Sequence, residues 1–410
     1  MAIEYIYTCV NCGARYSKGK IIYLCPKCAT ENKAGLPLKG VLKVEYNYES
    51  IKKKIKKHSN FLIDTQYIDL LPIENIKSLP PLLVGKTPHY KFEQIDDKKV
   101  PFTLHLKVES SNPTFSFKDR ASALVSAFAK ENGIQSIIAA STGNAGSSLA
   151  GICASQNQNA IILVPENAPK AKLTQVLMYG AKLITVKGNY DDAYDLSLKI
   201  TEKYGVYNRN TAYNPLTIEG KKTVAFELFE TMKAIPDKIF VPVGDGVILA
   251  GVYKGFEDLL RLELITKMPK IMCIQAEGSS NLIDNLLATE PDFKDSSTIA
   301  DSISVDIPRN YFMARDFINK YNGLGIKVSD IEIIKASKLL ASQFGLFVEP
   351  AAAAAYAGFL KHKLDGQVLE NEQIVILLTG NGLKDIETVS KDLRFPDPID
   401  PKFFDYTLFR

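Results

Sequence analysis

The chain lacks any marked charge excess and any long apolar run, and each absence excludes a class of protein. Its 410 residues include 50 lysines and arginines against 46 aspartates and glutamates, a net charge of +4. A balance this even argues against a nucleic-acid or membrane-surface partner. No stretch approaches the roughly 18 apolar residues of a membrane-spanning helix, and the first residues lack the charged and apolar regions of a signal peptide. We therefore expect a cytoplasmic protein that binds neither membranes nor nucleic acids.

Internal repeats and low-complexity tracts are also missing. Apolar residues make up 46% of the chain and charged residues 23%, which is typical of a soluble globular enzyme. A chain of this length predicts two or three domains rather than one core. The single basic run, Lys52 to Lys57, is interpreted as the solvated face of a helix.

Cysteine is scarce, but four of the six cysteines form a pattern. The residues of this C-x2-C-x12-C-x2-C motif are Cys9, Cys12, Cys25 and Cys28. Two such pairs can place four thiolates around Zn²⁺, so residues 1–35 are predicted to form a small ribbon with a structural zinc ion. The alternatives are two disulfides, which a reducing compartment disfavours, and a ribbon without metal. Cys153 and Cys273 lie in apolar runs and are predicted to be core residues.

Strand and helix patterns alternate beyond a proline-containing connector at residues 36–90. Short apolar runs predict strands at 135–140, 160–164, 182–186, 238–243, 271–276 and 374–378. Helical patterns fall at 121–130, 145–155, 168–179, 191–204 and 247–264. This alternation indicates βαβ units and an α/β fold with parallel sheets covered on both faces.

One lysine, Lys118, stands out in the segment from Ser110 to Arg120. It follows a turn rich in proline, serine and threonine and lies at the start of a helical run. Burial disfavours the charged form of lysine, so an amine in an apolar setting loses proton affinity. Such an amine can form a Schiff base with an aldehyde cofactor. Lys118 is therefore the candidate reactive residue.

A polar loop at residues 141–144 follows a predicted strand and begins a helix. Backbone N–H groups at a helix N-terminus attract anions, and the hydroxyls of Ser141 and Thr142 add donors that suit a carboxylate. The amide of Asn144 can donate to a phenolate oxygen. The alternative interpretation is an ordinary helix N-cap.

Two further loops follow buried strands. Gly244 to Ile248 is glycine-rich and precedes a long helix, an arrangement that suits a phosphate group, although Asp245 places a negative charge there. The hydroxyl of Thr379 follows the last strand and suits a ring nitrogen. Tight turns explain either loop equally well in isolation. Taken together, a lysine, a carboxylate loop, a phosphate cup and a ring-nitrogen partner are what a pyridoxal phosphate (PLP) enzyme needs.

These motifs resemble those of the PLP-dependent threonine synthases, in the tryptophan-synthase-β-like group of fold type II. The resemblance covers most of the chain. Besides the four-cysteine ribbon, the matching motifs in order are Asn112-Pro113-Thr114 with Ser116-Phe117-Lys118-Asp119-Arg120, Ala140-Ser141-Thr142-Gly143-Asn144, Ile218-Glu219-Gly220-Lys221-Lys222-Thr223, Pro242-Val243-Gly244, Gln275-Ala276-Glu277-Gly278, and Leu378-Thr379-Gly380 with Gly382-Leu383-Lys384-Asp385.

The resemblance implies a fold and a quaternary state. Two doubly wound parallel-sheet domains would follow the zinc ribbon. The large PLP-binding domain would comprise residues 91–121 and 213–410, and the small domain residues 122–212. A homodimer is expected by the same analogy.

The resemblance also implies roles for individual residues. Lys118 would hold PLP and act as the catalytic base, Asn144 would bond the ring oxygen, and Thr379 would face the pyridine nitrogen. The substrate carboxylate would be held by Ser141, Thr142 and Gly143. The phosphate cup would be formed by backbone N–H groups of Gly244, Asp245, Gly246, Val247 and Ile248. The family converts O-phosphohomoserine and water to threonine and phosphate.

Several positions depart from the family pattern. Ala145 stands where a threonine is common, and Thr217 stands where many members carry an arginine that binds the substrate phosphate. An Asn-Ser pair is replaced by Thr211-Ala212, and the cup reads Gly-Asp-Gly-Val-Ile instead of Gly-Asn-Ala-Gly-Asn. The residues for cofactor chemistry therefore match the family, whereas the residues expected to bind a substrate phosphate are altered.

These departures keep other activities open. Threonine synthesis is the first choice, and Arg209, Lys172 or Lys221 are candidate replacements for the missing phosphate anchor. The alternative is a sister lyase on a γ- or β-substituted amino acid: a threonine or serine ammonia-lyase, or a β-replacement enzyme such as cysteate synthase. A third hypothesis is a catalytically silent PLP-binding or interaction protein.

Overall fold

The computed structural model describes residues 4–19, 21–33, 35–391, 393–400 and 407. These residues form thirteen strands, which we number along the chain. The strands are β1 Tyr5–Cys9, β2 Arg15–Ser17, β3 Leu42–Tyr46, β4 His89–Ile95, β5 Lys98–Val108, β6 Ser136–Ala140, β7 Asn159–Pro165, β8 Lys182–Val186, β9 Tyr207–Asn208, β10 Lys238–Pro242, β11 Lys270–Ala276, β12 Leu324–Val328 and β13 Gln373–Leu378.

The same described residues form fifteen α-helices, of which the last follows β13. They are α1 Pro26–Ala29, α2 Tyr48–Lys57, α3 Phe61–Asp64, α4 Lys118–Glu131, α5 Asn144–Ser155, α6 Lys170–Met178, α7 Tyr190–Tyr204, α8 Leu216–Lys221, α9 Thr223–Met232, α10 Val247–Arg261, α11 Asn281–Asp284, α12 Tyr311–Lys320, α13 Asp330–Phe344, α14 Pro350–Leu364 and α15 Ile386–Ser390. None of these helices is long and apolar enough to cross a bilayer.

A four-stranded parallel sheet has the strand order β8-β7-β6-β9. Each of its longer strands is joined to the next by one helix, α5 or α6, so the βαβ prediction is confirmed here. Every strand and helix predicted from sequence in this sheet and in the next one forms, with boundaries that differ by at most three residues. The apolar runs were informative because strands buried on both faces exclude polar residues.

A six-stranded sheet has the order β12-β11-β10-β13-β5-β4. All neighbouring strands are parallel except β4 and β5, which form an antiparallel hairpin at one edge. Cys273 lies in β11 and Cys153 in α5, and both side chains are fully buried, as predicted. The two parallel sheets confirm the α/β fold class. The residue limits assigned to the two domains remain a prediction.

The cysteine ribbon is built on a third, antiparallel sheet of order β2-β1-β3. Strand β3 pairs with β1 along its whole length, Tyr5 opposite Tyr46 through Cys9 opposite Leu42. This strand lies in the segment that the sequence assigns to the connector. The ribbon sheet therefore takes its last strand from beyond residue 35.

Candidate active site

Lys118 is the first residue of α4, and its segment is attached to the end of strand β13. The backbone N–H of Phe117 donates to the carbonyl oxygen of Thr379 at 2.8 Å. Ser116 forms an isolated antiparallel bridge with Gly380. Because ligands of parallel sheets bind beyond the carboxyl ends of the strands, this attachment places the lysine where a ligand is expected.

The Lys118 amine has reduced proton affinity. Its side chain is half-buried because it faces a cavity, while protein atoms surround it closely. Burial is the main reason that the pKa of Lys118 lies below the ordinary lysine value, and the nearby Arg209 guanidinium lowers this pKa further. The carboxylates of Asp245 and Glu349 oppose the shift. A lowered pKa makes the neutral, nucleophilic amine more abundant.

The cavity beside Lys118 has a volume of about 410 Å³, which falls in the range of small-molecule sites. It brings together six of the predicted site residues: Lys118, Ser141, Thr142, Gly143, Asn144 and Asp245. The remaining ones do not line it, and these are Gly244, Gly246, Val247, Ile248 and Thr379.

A buried carboxyl group that the sequence analysis missed contacts Asn144. The Asn144 amide donates to both Glu349 carboxylate oxygens, at 3.1 and 2.9 Å, and to the Ser302 hydroxyl at 3.1 Å. Burial raises the pKa of Glu349, although the Asn144 amide and Lys384 act against this rise. The only sequence signal was a glutamate followed by Pro350 at the start of α14, which reads as ordinary helix initiation.

The predicted phosphate cup lies at the N-terminus of α10. Gly246 has φ +84°, and among the described residues no acceptor takes the backbone N–H groups of Gly244, Asp245 or Gly246. A Cβ at Gly244 would lie only 2.9 Å from a Val305 methyl group, so glycine is required for this close packing. Unpaired N–H groups at a helix start suit an anion.

The Asp245 side chain turns back into the cup instead of pointing away from it. Its Oδ1 accepts from the Val247 backbone N–H at 2.9 Å. Burial opposes ionisation, but the Lys118 and Lys221 amines outweigh burial and hold the pKa of Asp245 below the ordinary value. A negative charge therefore lies beside the predicted anion site.

Thr379 lies behind the lysine segment rather than on the cavity wall. Its carbonyl oxygen accepts from Phe117, and the next residue, Gly380, accepts from the Glu349 backbone N–H at 3.1 Å. A Cβ at Gly380 would overlap the Glu349 carboxylate. The loop after β13 thus joins the Lys118 segment to the Glu349 segment.

Comparison with known proteins identifies the family. Residues 81–380 match the family described as "Pyridoxal-phosphate dependent enzyme". The threonine synthase of Methanocaldococcus jannaschii is 36% identical over 385 residues, 92% of each chain. The threonine synthase of Methanosarcina acetivorans is 34% identical over 404 residues, 97% of this chain and 96% of the relative. The chain belongs to the threonine synthase family. It is thus a PLP-dependent carbon–oxygen lyase.

Solved structures agree with this fold. Maize serine racemase superposes with a TM-score of 0.64 and 25% identity, covering 75% of this chain and 91% of the racemase. Processed threonine deaminase isoform 2 from Solanum lycopersicum gives a TM-score of 0.66 at 22% identity, covering 82% and 88%. The second likeness shows the fold alone. The wider group shares one scaffold across several reactions.

The residues present fit the cofactor of the threonine synthase family. A lysine with lowered proton affinity and a buried amide line one cavity, and the unpaired backbone N–H groups at the start of α10 lie next to it, where Asp245 lines the same cavity. The Asp245 carboxylate lies beside the predicted phosphate cup and opposes a phosphate there. Lys118 and Lys221 offset its charge.

The substrate side of the site departs from the threonine synthase pattern. The Thr217 hydroxyl, in the first turn of α8, donates to the Asn214 carbonyl oxygen at 2.7 Å, and Thr217 is fully buried and does not line the cavity. Ala145 lines the cavity but offers only a methyl group. Neither residue can supply the charge that a phosphate needs.

The four ribbon cysteines have the spacing of a tetrahedral site. The Sγ atoms are 3.8 Å apart in Cys9 and Cys28 and 3.7 Å apart in Cys12 and Cys25. All four sulfurs lie within 4.8 Å of one another, and none is in a disulfide. A tetrahedron with metal–sulfur bonds of about 2.3 Å has edges of about 3.8 Å. The donor set therefore fits zinc.

Proposed function

We propose that the protein converts O-phospho-L-homoserine and water to L-threonine and phosphate. The observation that carries this proposal is the convergence of Lys118, Asn144 and the 141–143 loop on one cavity in a chain 36% identical to a threonine synthase. The reaction needs a base at the substrate Cα, a seat for its carboxylate and a place for its phosphate. The site offers candidates for each.

Lys118 is assigned two duties in this proposal. Its amine binds the cofactor aldehyde and, once released, removes and returns protons at the substrate carbons. When bound, PLP supplies an electron sink that stabilises negative charge on the substrate. The lowered pKa of Lys118 suits the second duty, because a base works best when its pKa is near the working pH.

The surrounding groups orient cofactor and substrate. Asn144 is positioned by Glu349 and donates to the cofactor ring oxygen, while the Thr379 carbonyl oxygen holds the lysine segment through the Phe117 N–H. The unpaired N–H groups of Gly244, Asp245 and Gly246 bind the cofactor phosphate, whereas the Val247 N–H donates to Asp245. Ser141, Thr142 and Gly143, at the start of α5, bind the substrate carboxylate.

The sister activities keep a specific observation in their favour. Thr217 and Ala145 give no cation to a substrate phosphate, so a substrate without phosphate would lose nothing at these positions. Deamination of threonine or serine, or β-replacement on a serine-type substrate, would use the same lysine and carboxylate loop.

A panel of four substrates distinguishes these activities. The purified holoenzyme is given O-phosphohomoserine, threonine, serine or phosphoserine, and the products are identified by mass spectrometry. Threonine and phosphate from O-phosphohomoserine support the proposal. Only keto acids and ammonia from threonine or serine would refute it in favour of the lyase alternative.

We also propose that the four-cysteine site holds one zinc ion. The sulfur spacing and the absence of disulfides support this. Elemental analysis should find one zinc per chain, and a Cys12→Ser variant should retain less. A full-length protein without zinc, and with no loss of stability in a chelator, would contradict it.

The remaining proposals rest on the family likeness. We propose a homodimer, to be measured by light scattering, and the domain limits given above, to be tested by limited proteolysis. A cytoplasmic location fits a thiolate site that needs a reducing compartment. A monomer at working concentration would refute the proposed homodimer.

A further inference from the structure

Lys384 follows the last strand of the six-stranded sheet and contacts three other segments at once. Its amine donates to the Thr114 carbonyl oxygen at 3.0 Å, to the Ser147 hydroxyl at 2.9 Å and to the Gln175 side-chain oxygen at 2.8 Å. An ammonium group has three N–H donors, so each donor has a partner, and all three partners are neutral groups. Lys384 thus joins the turn before Lys118 to α5 and α6, two helices of the four-stranded sheet.

Thr114 connects Lys384 to the segment that carries Lys118. The Thr114 backbone N–H and hydroxyl both donate to the carboxylate of Asp119, the residue after Lys118, and both Thr114 and Asp119 are buried. The intervening Phe115 has φ +70°, a conformation that is uncommon for a bulky residue and costs energy. The contacts of Thr114 with Lys384 and with Asp119 therefore hold this turn in a fixed conformation.

Ser147 connects Lys384 to the loop that is proposed to bind the substrate carboxylate. Ser147 lies in the first turn of α5, and its side chain is buried. Its hydroxyl faces the carbonyl oxygens of Gly143 and Asn144, each at 3.4 Å. Because a hydroxyl both donates and accepts, Ser147 can accept from Lys384 and donate to the loop at the same time. Lys384 therefore supports the loop through one intervening side chain.

Lys384 does not line the cavity that contains the Lys118 side chain. It lines a second cavity, which has a volume of about 460 Å³. Thr142, Gly143 and Asn144 line both cavities, so the loop lies between them. A ligand bound beside Lys118 contacts one side of the loop, and Lys384 supports the loop from the other side.

The charge of Lys384 decides how many of its contacts can form. A neutral amine has two N–H donors instead of three, so loss of the proton removes one contact. Burial lowers the pKa of Lys384 to about 8, and the Glu349 and Asp119 carboxylates oppose this shift. The other charged side chains that line the second cavity are Lys172, Asp301 and Asp385. The three contacts of Lys384 are therefore sensitive to pH in the range used for binding measurements.

We propose that Lys384 is a positioning residue that holds the 141–144 loop at a fixed distance from Lys118, so that a carboxylate bound by the loop places the substrate Cα beside the Lys118 amine. The proposal rests on the carboxylate role proposed for Ser141, Thr142 and Gly143. Reaction rates depend steeply on this distance, because a displacement of about 1 Å can cost about a hundredfold. Lys384 itself contacts neither substrate nor cofactor in this role.

Two ligands that differ by one carboxylate test this role without turnover. L-2-Aminobutyrate and propylamine both bind to the PLP-loaded holoenzyme through their amine, and the change in PLP absorbance measures each affinity. The ratio of the two affinities reports the contribution of the carboxylate. We expect the unaltered protein to prefer L-2-aminobutyrate and Lys384→Met to reduce this preference about tenfold or more. PLP content and the affinity for propylamine should be unchanged.

Three further measurements separate positioning from a general effect on structure. Ser147→Ala keeps the Lys384 charge but removes its contact with the loop, so it should also reduce the preference. The double variant should lose no more than Lys384→Met alone, because both changes interrupt one path. Lys361→Met is the control, since Lys361 is also half-buried but lines neither cavity, and it should keep the full preference.

The third measurement is the pH dependence of the preference, corrected for the ionisation of the two ligand amines. In the unaltered protein the preference should fall as pH rises through about 8, because Lys384 loses its proton there. In Lys384→Met it should show no such fall. Ser147→Ala and the pH dependence of the unaltered protein keep the test decisive if Lys384→Met does not fold.

Several results would overturn the proposal. One is a preference that Lys384→Met or Ser147→Ala leaves intact, and another is an equal loss of affinity for both ligands, which indicates a general loss of structure. An unaltered holoenzyme that binds both ligands equally would overturn this proposal together with the carboxylate role of the loop. A preference that depends on Lys384, with no threonine from O-phosphohomoserine, would support the positioning role and refute the proposed reaction.

Discussion

The Asn144 amide and the Glu349 carboxylate are joined by a 2.9 Å hydrogen bond across 205 residues of sequence. Asn144 begins α5 and Glu349 immediately precedes α14, so this contact connects the helices of the two parallel sheets. It also fixes the amide that faces the cofactor ring oxygen in the proposed site.

Glu349→Gln should stabilise the cofactor-free protein at neutral pH. Burial raises the pKa of Glu349, so the folded state holds its proton more tightly than the unfolded state. The resulting stability is present below the unfolded pKa of about 4.3 and is lost as pH rises through the folded pKa. A glutamine side chain has no carboxyl group to ionise, so the Glu349→Gln variant does not lose this stability as pH rises.

Urea unfolding at several pH values checks this expectation. The difference in unfolding free energy between Glu349→Gln and the unaltered protein should grow from pH 4 upward and then level off. The exposed Glu290→Gln is the control and should show no such growth. A difference that stays constant with pH would contradict the raised pKa of Glu349.

Tyr46→Phe should destabilise the whole protein through the ribbon interface. The Tyr46 hydroxyl, on β3, donates to Glu219 Oε2 at 2.6 Å, and both residues are buried. Loss of a hydrogen bond to a charged group costs about 1.5–3 kcal/mol. Thermal unfolding should show this loss, whereas Tyr204→Phe, at an exposed tyrosine, should have no effect. Equal stability of the two variants would show that this hydrogen bond contributes nothing to stability.

Asp245→Asn should tighten PLP binding, by about tenfold if charge repulsion at a partly buried site dominates. The asparagine oxygen can still accept from the Val247 N–H, while the negative charge next to the cofactor phosphate is removed. Fluorescence titration of the cofactor-free protein measures the affinity. Asp301→Asn, on the same cavity but half-exposed, should change it less. Weaker PLP binding by Asp245→Asn would show that the Asp245 carboxylate favours cofactor binding at the phosphate cup.

The rate of PLP capture by the cofactor-free protein should rise with pH and level off below the ordinary lysine pKa of about 10.4. The neutral amine is the nucleophile, and burial lowers the pKa of Lys118, assisted by the Arg209 charge. Arg209→Gln should move the inflection to higher pH. Stopped-flow absorbance measures the capture rate against pH in the unaltered protein and in the Arg209→Gln variant. A rate that still rises beyond pH 10.4 in the unaltered protein would contradict the lowered pKa.

Local sequence patterns predicted the parallel strands because these are buried on both faces. Strand β8 forms at the predicted residues, and β7 differs by one residue at each end. The hairpin of β4 and β5 was not predicted. Charged residues such as Lys98 and Lys99 interrupt its apolar pattern, and its position at the sheet edge depends on pairing with β13.

Site residues that belong to a local sequence motif could be predicted, whereas those that depend on contacts between distant segments could not. Lys118 and Asn144 follow turns that sequence displays directly. Glu349 and the pairing of β3 with β1 become visible only when distant segments meet. Sequence named Arg209 and Lys221 as candidate cations, but only the structure shows that both lack carboxylate partners.

The most direct test of this account is the location of the cofactor. The holoenzyme is reduced with borohydride and digested, and the pyridoxyl-bearing peptide is sequenced by mass spectrometry. The label should lie on Lys118, and Lys118→Ala should take up no covalent cofactor. A label on another lysine of lowered pKa, such as Lys221 or Lys384, or on no lysine would contradict the assignment.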